Sequence, residues 1–216
     1  PSFPPACAHR PLMDPTTFEW NFGITWAKET YLCYEVEVRE GDAWVPAKEH
    51  EGFLRNEALS SLSPVLRHAE LCFLRGVSDW DLDEGKQYRL TYMSWSPCPN
   101  CAPKLVEFLD ENSHVTLRIF PARIHTKSRG YQDGLRNLRD AGAQLAIMTL
   151  KEHQHCWDTF VDNQGQPFRP WPNLVEHIET KSQELKDILR LRFLPPAPPS
   201  PSLPGPVSAS GSPASS

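Results

Sequence analysis

Two short segments hold residue types that bind metals and move protons. They are His68-Ala69-Glu70 and Pro97-Cys98-Pro99-Asn100-Cys101, with 27 residues between Glu70 and Cys98. Zinc accepts imidazole and thiolate together, and three protein ligands leave a fourth position for water, which separates a catalytic zinc from a saturated structural one. His68, Cys98 and Cys101 are the candidate ligands. Glu70 follows His68 by two residues, so it can stand beside the water without joining the ligand set, taking a proton from it and passing the proton to a substrate nitrogen. Cys98 and Cys101 open a helix whose N-terminal dipole favours thiolates. Plainer readings of a lone C-x-x-C are a structural zinc half-site or a redox pair. Cys72, four residues after His68 and on the same helical face, is the rival fourth ligand, although a cysteine there also packs as a small hydrophobe.

These residues need a scaffold, and the surrounding pattern supplies one. Residues 31–38 (YLCYEVEV) alternate in a strand pattern, and Gly41-Asp42 turns the chain into Ala43-Trp44-Val45, giving a hairpin. Residues 67–75 read as the helix carrying His68 and Glu70, and 87–94 as the strand leading to the cysteines. Residues 99–110 form the next helix, opened by prolines near its first turn, where a missing N–H costs little. Strand 115–119, helix 131–141 ended by Gly142, strand 144–148, helix 151–161 and a long helix 174–191 complete the series. Such alternation predicts an α/β fold, with strands 87–94, 115–119 and 144–148 parallel because their connections are long enough for crossover helices.

The 216 residues suit one domain, and 39% hydrophobic with 23% charged residues is globular composition. No run of about 18 apolar residues and no basic-then-apolar leader occurs, so neither a membrane span nor a secretory signal is expected. Six cysteines, at 7, 33, 72, 98, 101 and 156, are too few and uneven for a disulfide scaffold and fit a reducing compartment. Cys7, Cys33 and Cys156 lack ligand spacing. His153 and His155 are two apart in a helical stretch and face different directions. Residues 1–13 are proline-rich and read as a flexible segment, 14–194 as the domain, and 195–216, with eight Pro and seven Ser and no charged side chain, as a disordered tail.

The spacing H-x-E…P-C-x-x-C is the signature of zinc-dependent nucleobase deaminases. Around it, Arg67-His68-Ala69-Glu70-Leu71-Cys72-Phe73-Leu74 and Ser94-Trp95-Ser96-Pro97-Cys98 resemble the zinc centre of the APOBEC family of polynucleotide cytidine deaminases. So do Met13-Asp14-Pro15 with Phe18, Asn21 and Phe22, the stretch from Glu29 to Glu37, Ala122-Arg123-Ile124, Leu138 to Ala143 and His155 to Asp162. The resemblance covers about residues 13–191 and is to the antiviral DNA-editing branch, in the highly active single-zinc-domain class. It implies a cytidine-deaminase-like α/β fold, a five-stranded mixed sheet surrounded by six helices. The implied reaction is hydrolytic deamination of cytosine to uracil in single-stranded DNA, restricting viruses and retroelements. One catalytic Zn2+ is implied, held by His68, Cys98 and Cys101, with Glu70 as proton shuttle.

Residue by residue, the resemblance also implies that Thr30 and Trp95 wall the pocket, that Asn56 contacts the target nucleotide and that Ser96 reads the exocyclic edge of the base. An aromatic side chain beside a catalytic zinc independently suits stacking on a base. His125, Thr126 and Lys127 stand where well-studied members place a tyrosine, an aspartate and often a second aromatic, so flanking-base preference does not carry over, and His125 becomes the candidate base contact. Lys28 replaces a histidine and keeps only a phosphate contact. Net charge is −5, yet Arg118, Arg123, Lys127, Arg129, Arg136 and Arg139 face only Asp133 and Asp140 within residues 118–140. Lys28, Arg123, Lys127 and Arg129 are the candidate backbone contacts. Expected partners are single-stranded DNA, with RNA as the alternative, and no membrane. The expected state is a monomer or weak oligomer, cytoplasmic and nuclear. A catalytically weak nucleic-acid-binding member of the same fold and a deaminase of free nucleosides are the competing functions.

Overall fold

A computed structural model describes residues 11–24, 29–57 and 67–190. Six helices and one mixed sheet occupy them. The helices are α1 (Pro15–Phe22), α2 (Ala69–Ser78), α3 (Ala102–Glu111), α4 (Tyr131–Asp140), α5 (Leu150–Phe160) and α6 (Leu174–Arg190). The strands are β1 (Tyr31–Glu40), β2 (Ala43–Pro46), β3 (Gly52–Arg55), β4 (Tyr88–Trp95), β5 (Val115–Arg123) and β6 (Gln144–Leu145).

The sheet order is β2-β1-β4-β5-β6, with β3 also paired to β1. β2 pairs with residues 37–40 of β1 and β3 with residues 31–34, both antiparallel, so the two lie end to end along one edge, parted by a 3-10 turn at Lys48–His50. The sheet therefore has the five expected positions, the first filled by a broken strand. β4–β5 and β5–β6 are parallel, as the crossover lengths predict.

Residues of β1 and β4 alternate between two cores. Leu32, Tyr34, Val36, Leu90 and Tyr92 pack under α2 and α3, whereas Cys33 and Met93 face α1, α5 and the start of α6. Both faces of the sheet are thus covered, which parallel pairing requires. Gly134 lets α4 approach α3, since a Cβ there would stand 2.9 Å from the Ala102 Cβ. Gly130, at φ +85°, supplies the left-handed turn into α4.

Three expectations are corrected. Met13 belongs to the packed body: it is buried, its N–H donates to Phe160 O (2.8 Å) and its carbonyl accepts from Asp162 (2.9 Å). The strand expected over 144–148 is regular only at 144–145. Pro121 in β5 has no N–H to give; there the β4 ladder skips to Arg123, and the last bond on the β6 side runs one way, from Met148 N to Pro121 O. Gly52–Arg55, to which the sequence pattern assigns no element, is a strand because Tyr31–Tyr34 template it. Residues 1–10, Lys28 and the proposed tail at 195–216 lie outside the described residues.

Candidate active site

The C-terminal ends of the parallel strands β4 and β5 lie together, the place where open α/β sheets bind ligands. His68 is the N-cap of α2 and Cys101 the N-cap of α3, while the carbonyl of Cys98 accepts from Cys101 N and Ala102 N, both at 3.0 Å. Two helix N-termini thereby point their donors at one spot. His68 Nδ1 is 3.3 Å from Cys98 Sγ and 3.4 Å from Cys101 Sγ, and the three ligand atoms all lie within 4.8 Å of one another. Tetrahedral zinc with the usual Zn–N and Zn–S lengths sets its nitrogen and sulfur ligands about 3.5 Å apart, so the donors fit that ion in type and spacing. Cys72 is outside the cluster; its thiol lies 3.9 Å from Arg67 O.

Glu70, in the first turn of α2, is buried, and burial is the main reason its carboxyl is pushed up to about 7. The Cys98 thiolate adds to this, while His68 opposes it. The Cys98 thiol is held down at about 4 because the Cys101 thiol donates to its sulfur, with the Cys101 and Asn100 amides helping; Cys101 is pushed up for the same reason.

The other candidates gather at the same end of the sheet. Thr30 and Asn56 are joined twice: Thr30 N donates to Asn56 Oδ1 (2.8 Å) and Asn56 N to Thr30 O (3.0 Å). This leaves the Asn56 carboxamide nitrogen without a partner among the described residues. Trp95 is 8% exposed, its indole N–H donates to Asn21 O (3.1 Å), and the Arg123 guanidinium carbon lies 5.0 Å from its ring centre. Ser96 Oγ accepts from His125 N (2.8 Å), tying the end of β4 to the loop after β5, and the His125 ring pairs with Ser128 Oγ (3.2 Å).

Arg123 does not behave as a nucleic-acid contact. It is buried, Nε donates to Gly23 O (2.6 Å) and one terminal nitrogen to Trp20 O (3.2 Å), so it anchors the end of α1 from below. Arg118 is spent on Glu37, Arg136 on Ile188 O and Asp133, and Arg139 on Leu189 O and Asp140. Lys127 and Arg129 alone of the basic stretch stay exposed on the loop. Strand parity would not have singled out Arg123: Val115, Leu117 and Ile119 of the same odd register pack under α2 and α3, but the register shift after Pro121 turns Arg123 to the opposite side, against Trp20 and Gly23.

Sequence reasoning passed over two features of the site. Glu57 and Arg67 form a two-way main-chain bridge (2.9 and 3.3 Å) and an ion pair at 2.6 Å, linking Asn56 to His68 across residues 58–66. The hydroxyl of Tyr92, packed on Phe73 one turn beyond Glu70, is buried without a hydrogen-bond partner among the described residues. Neither has a sequence signal, because both arise from tertiary approach.

A buried carboxyl beside an imidazole and two thiols, at paired helix N-termini on a mixed sheet, places the molecule in the cytidine-deaminase-like class. A family model described as "APOBEC3, cytosine deaminase domain" matches residues 11–189, and the chain belongs to that family. It is 49% identical to the "DNA dC->dU-editing enzyme APOBEC-3G" of Lagothrix lagotricha over 187 residues, 84% of this chain and 49% of the relative. It is similarly 49% identical to the protein of that name from Papio anubis and 48% to that from Erythrocebus patas, with the same coverage. The chain spans about half the length of the curated relatives it matches.

Proposed function

We propose that this domain hydrolytically deaminates cytosine to uracil in single-stranded DNA. The carrying observation is the buried Glu70 carboxyl on the turn of helix that also presents His68 to Cys98 and Cys101. A zinc ion in that donor set supplies Lewis acidity that makes water nucleophilic near neutral pH. Glu70 takes a proton from the water and gives it to the ring nitrogen as the oxygen adds to the adjacent carbon, then carries the remaining hydroxyl proton to the amino group, which leaves as ammonia as the C=O bond forms. Trp95 walls the pocket with one face backed by Arg123, Thr30 holds Asn56 toward the nucleotide, and Ser96 offers the hydroxyl proton that its bond from His125 N leaves free. Lys127 and Arg129 follow the strand, and Lys28 is a further candidate for that role.

No described helix is long and apolar enough to cross a membrane. Action on viral or retroelement DNA in cytoplasm and nucleus, as a monomer or weak oligomer, follows from the family resemblance and belongs to the same proposal. The test is uracil formation in a single-stranded library varied around one cytosine, run beside the matched RNA. Glu70→Gln should keep stoichiometric zinc and lose about 10²–10⁴-fold in rate. Undiminished product in that variant refutes the role of Glu70. No product from the parent chain, despite bound zinc and measurable DNA affinity, leaves a binding protein.

A further inference from the structure

Away from the metal centre, the start of α1 and the segment between α5 and α6 enclose a cleft of about 340 Å³, lined by Pro15, Trp157, Pro167, Phe168, Arg169 and Trp171. Phe168 forms its floor, buried and edge-on to Trp171 at 5.4 Å between ring centres, with Trp157 at 6.0 Å on the other side. The Trp157 indole N–H is committed to Gln166 O (2.6 Å). That of Trp171 has no partner among the described residues, although the ring is only partly covered. Glu19 offsets Arg169 on the rim, so the cleft has no strong charge preference. Aromatic walls with a spare indole donor are the chemistry that receives a polyproline II segment, whose carbonyls are all unpaired.

The chain carries such a segment. Pro195, Pro198, Pro201 and Pro204 recur every third residue, which is one face of a polyproline II helix, and residues 195–216 have no charged side chain. Reach is sufficient. Leu174 starts α6 three residues after Trp171, and its 17 residues end at Arg190, about 25 Å away. At about 3.1 Å per residue, some eight residues beyond Arg190 retrace that distance, which brings the stripe around residue 198 level with the cleft. We propose that the Pro195–Pro198–Pro201–Pro204 face of the same chain docks in this cleft, with Trp171 Nε1–H donating to a tail carbonyl.

The test uses the full chain with indole nitrogens labelled, the seven tryptophan signals being assigned by single Trp→Phe replacements. Replacing Pro195, Pro198, Pro201 and Pro204 by Ala leaves the body untouched. It should displace the Trp171 signal, speed exchange of that N–H by roughly three-fold or more, and leave Trp44 and Trp80 unmoved, identically at two protein concentrations. Pro196→Ala with Pro199→Ala, on another face of the segment, should have no effect. Unchanged Trp171 signals overturn the proposal, as does an equal response to the second pair. A response that disappears on dilution also overturns it, since docking would then occur between copies.

Discussion

Arg123 decides between two accounts of the basic stretch, and its removal separates them. In Arg123→Met the side-chain length is kept while the donors to Gly23 O and Trp20 O and the cation over Trp95 are lost. Hydrogen bonds from a charged donor contribute about 1.5–3 kcal/mol each, and the stacked cation up to about 1. Against this stands relief from burying a guanidinium whose pKa burial has already pulled down to about 10 and one of whose nitrogens lacks a partner among the described residues. The net loss expected is about 3 kcal/mol, or roughly 6–12 °C in Tm for a domain of this size. The assay is thermal unfolding of the zinc-loaded chain together with single-stranded DNA affinity as a function of salt. A phosphate contact, when lost, lowers the slope of log K against log salt by about 0.7. Arg123→Met should lower Tm and leave that slope alone, whereas Arg129→Met should leave Tm alone and lower the slope. A reduced slope with unchanged Tm in Arg123→Met would refute the interior role assigned to this residue.

Tyr92→Phe removes a buried hydroxyl that has no partner among the described residues, so urea unfolding should show stability unchanged or raised by about 1 kcal/mol; a loss of more than that would mean the hydroxyl is satisfied in solution. His155 pairs with the Glu35 carboxylate, and that hydrogen bond is the main reason its pKa is raised. A raised value stabilises the fold at low pH and the contribution fades as pH rises through it. Because the pair is partly exposed, Glu35→Gln should cost under about 1 kcal/mol near pH 6 and almost nothing by pH 9, read as Tm against pH. A cost that grows toward alkaline pH would reverse that sign.

The clustering of the candidate metal donors with Glu70 was legible because types and spacing favour it: a helix start puts His68 and Glu70 near one another, and C-x-x-C turns two sulfurs the same way. The strands β1, β4 and β5 were legible from alternation. What escaped depends on partners far along the chain. Gly52–Arg55 has too few residues to announce a strand and becomes one only against Tyr31–Tyr34. The extent of β6 is set by a proline in its neighbour, and counting charges over residues 118–140 could not say which guanidinium turns inward. Local pattern carried the reading wherever chemistry was local, and lost it where two distant segments had to meet.

The broken edge strand has a bearing on how copies of the domain meet one another. Open sheet edges invite further strands, and long flat ones seed aggregation. Here one edge is split into two four-residue pieces by the turn at Lys48–His50, and the other ends in a strand of two residues. Neither margin offers more than a few consecutive unpaired amides as a template. Strand addition is therefore a poor route to assembly, and copies that do associate must use helix faces and loops. If copies gather along a single strand of nucleic acid, as the proposed function has it, crowding brings neighbours into collision without giving their sheets a means of fusing.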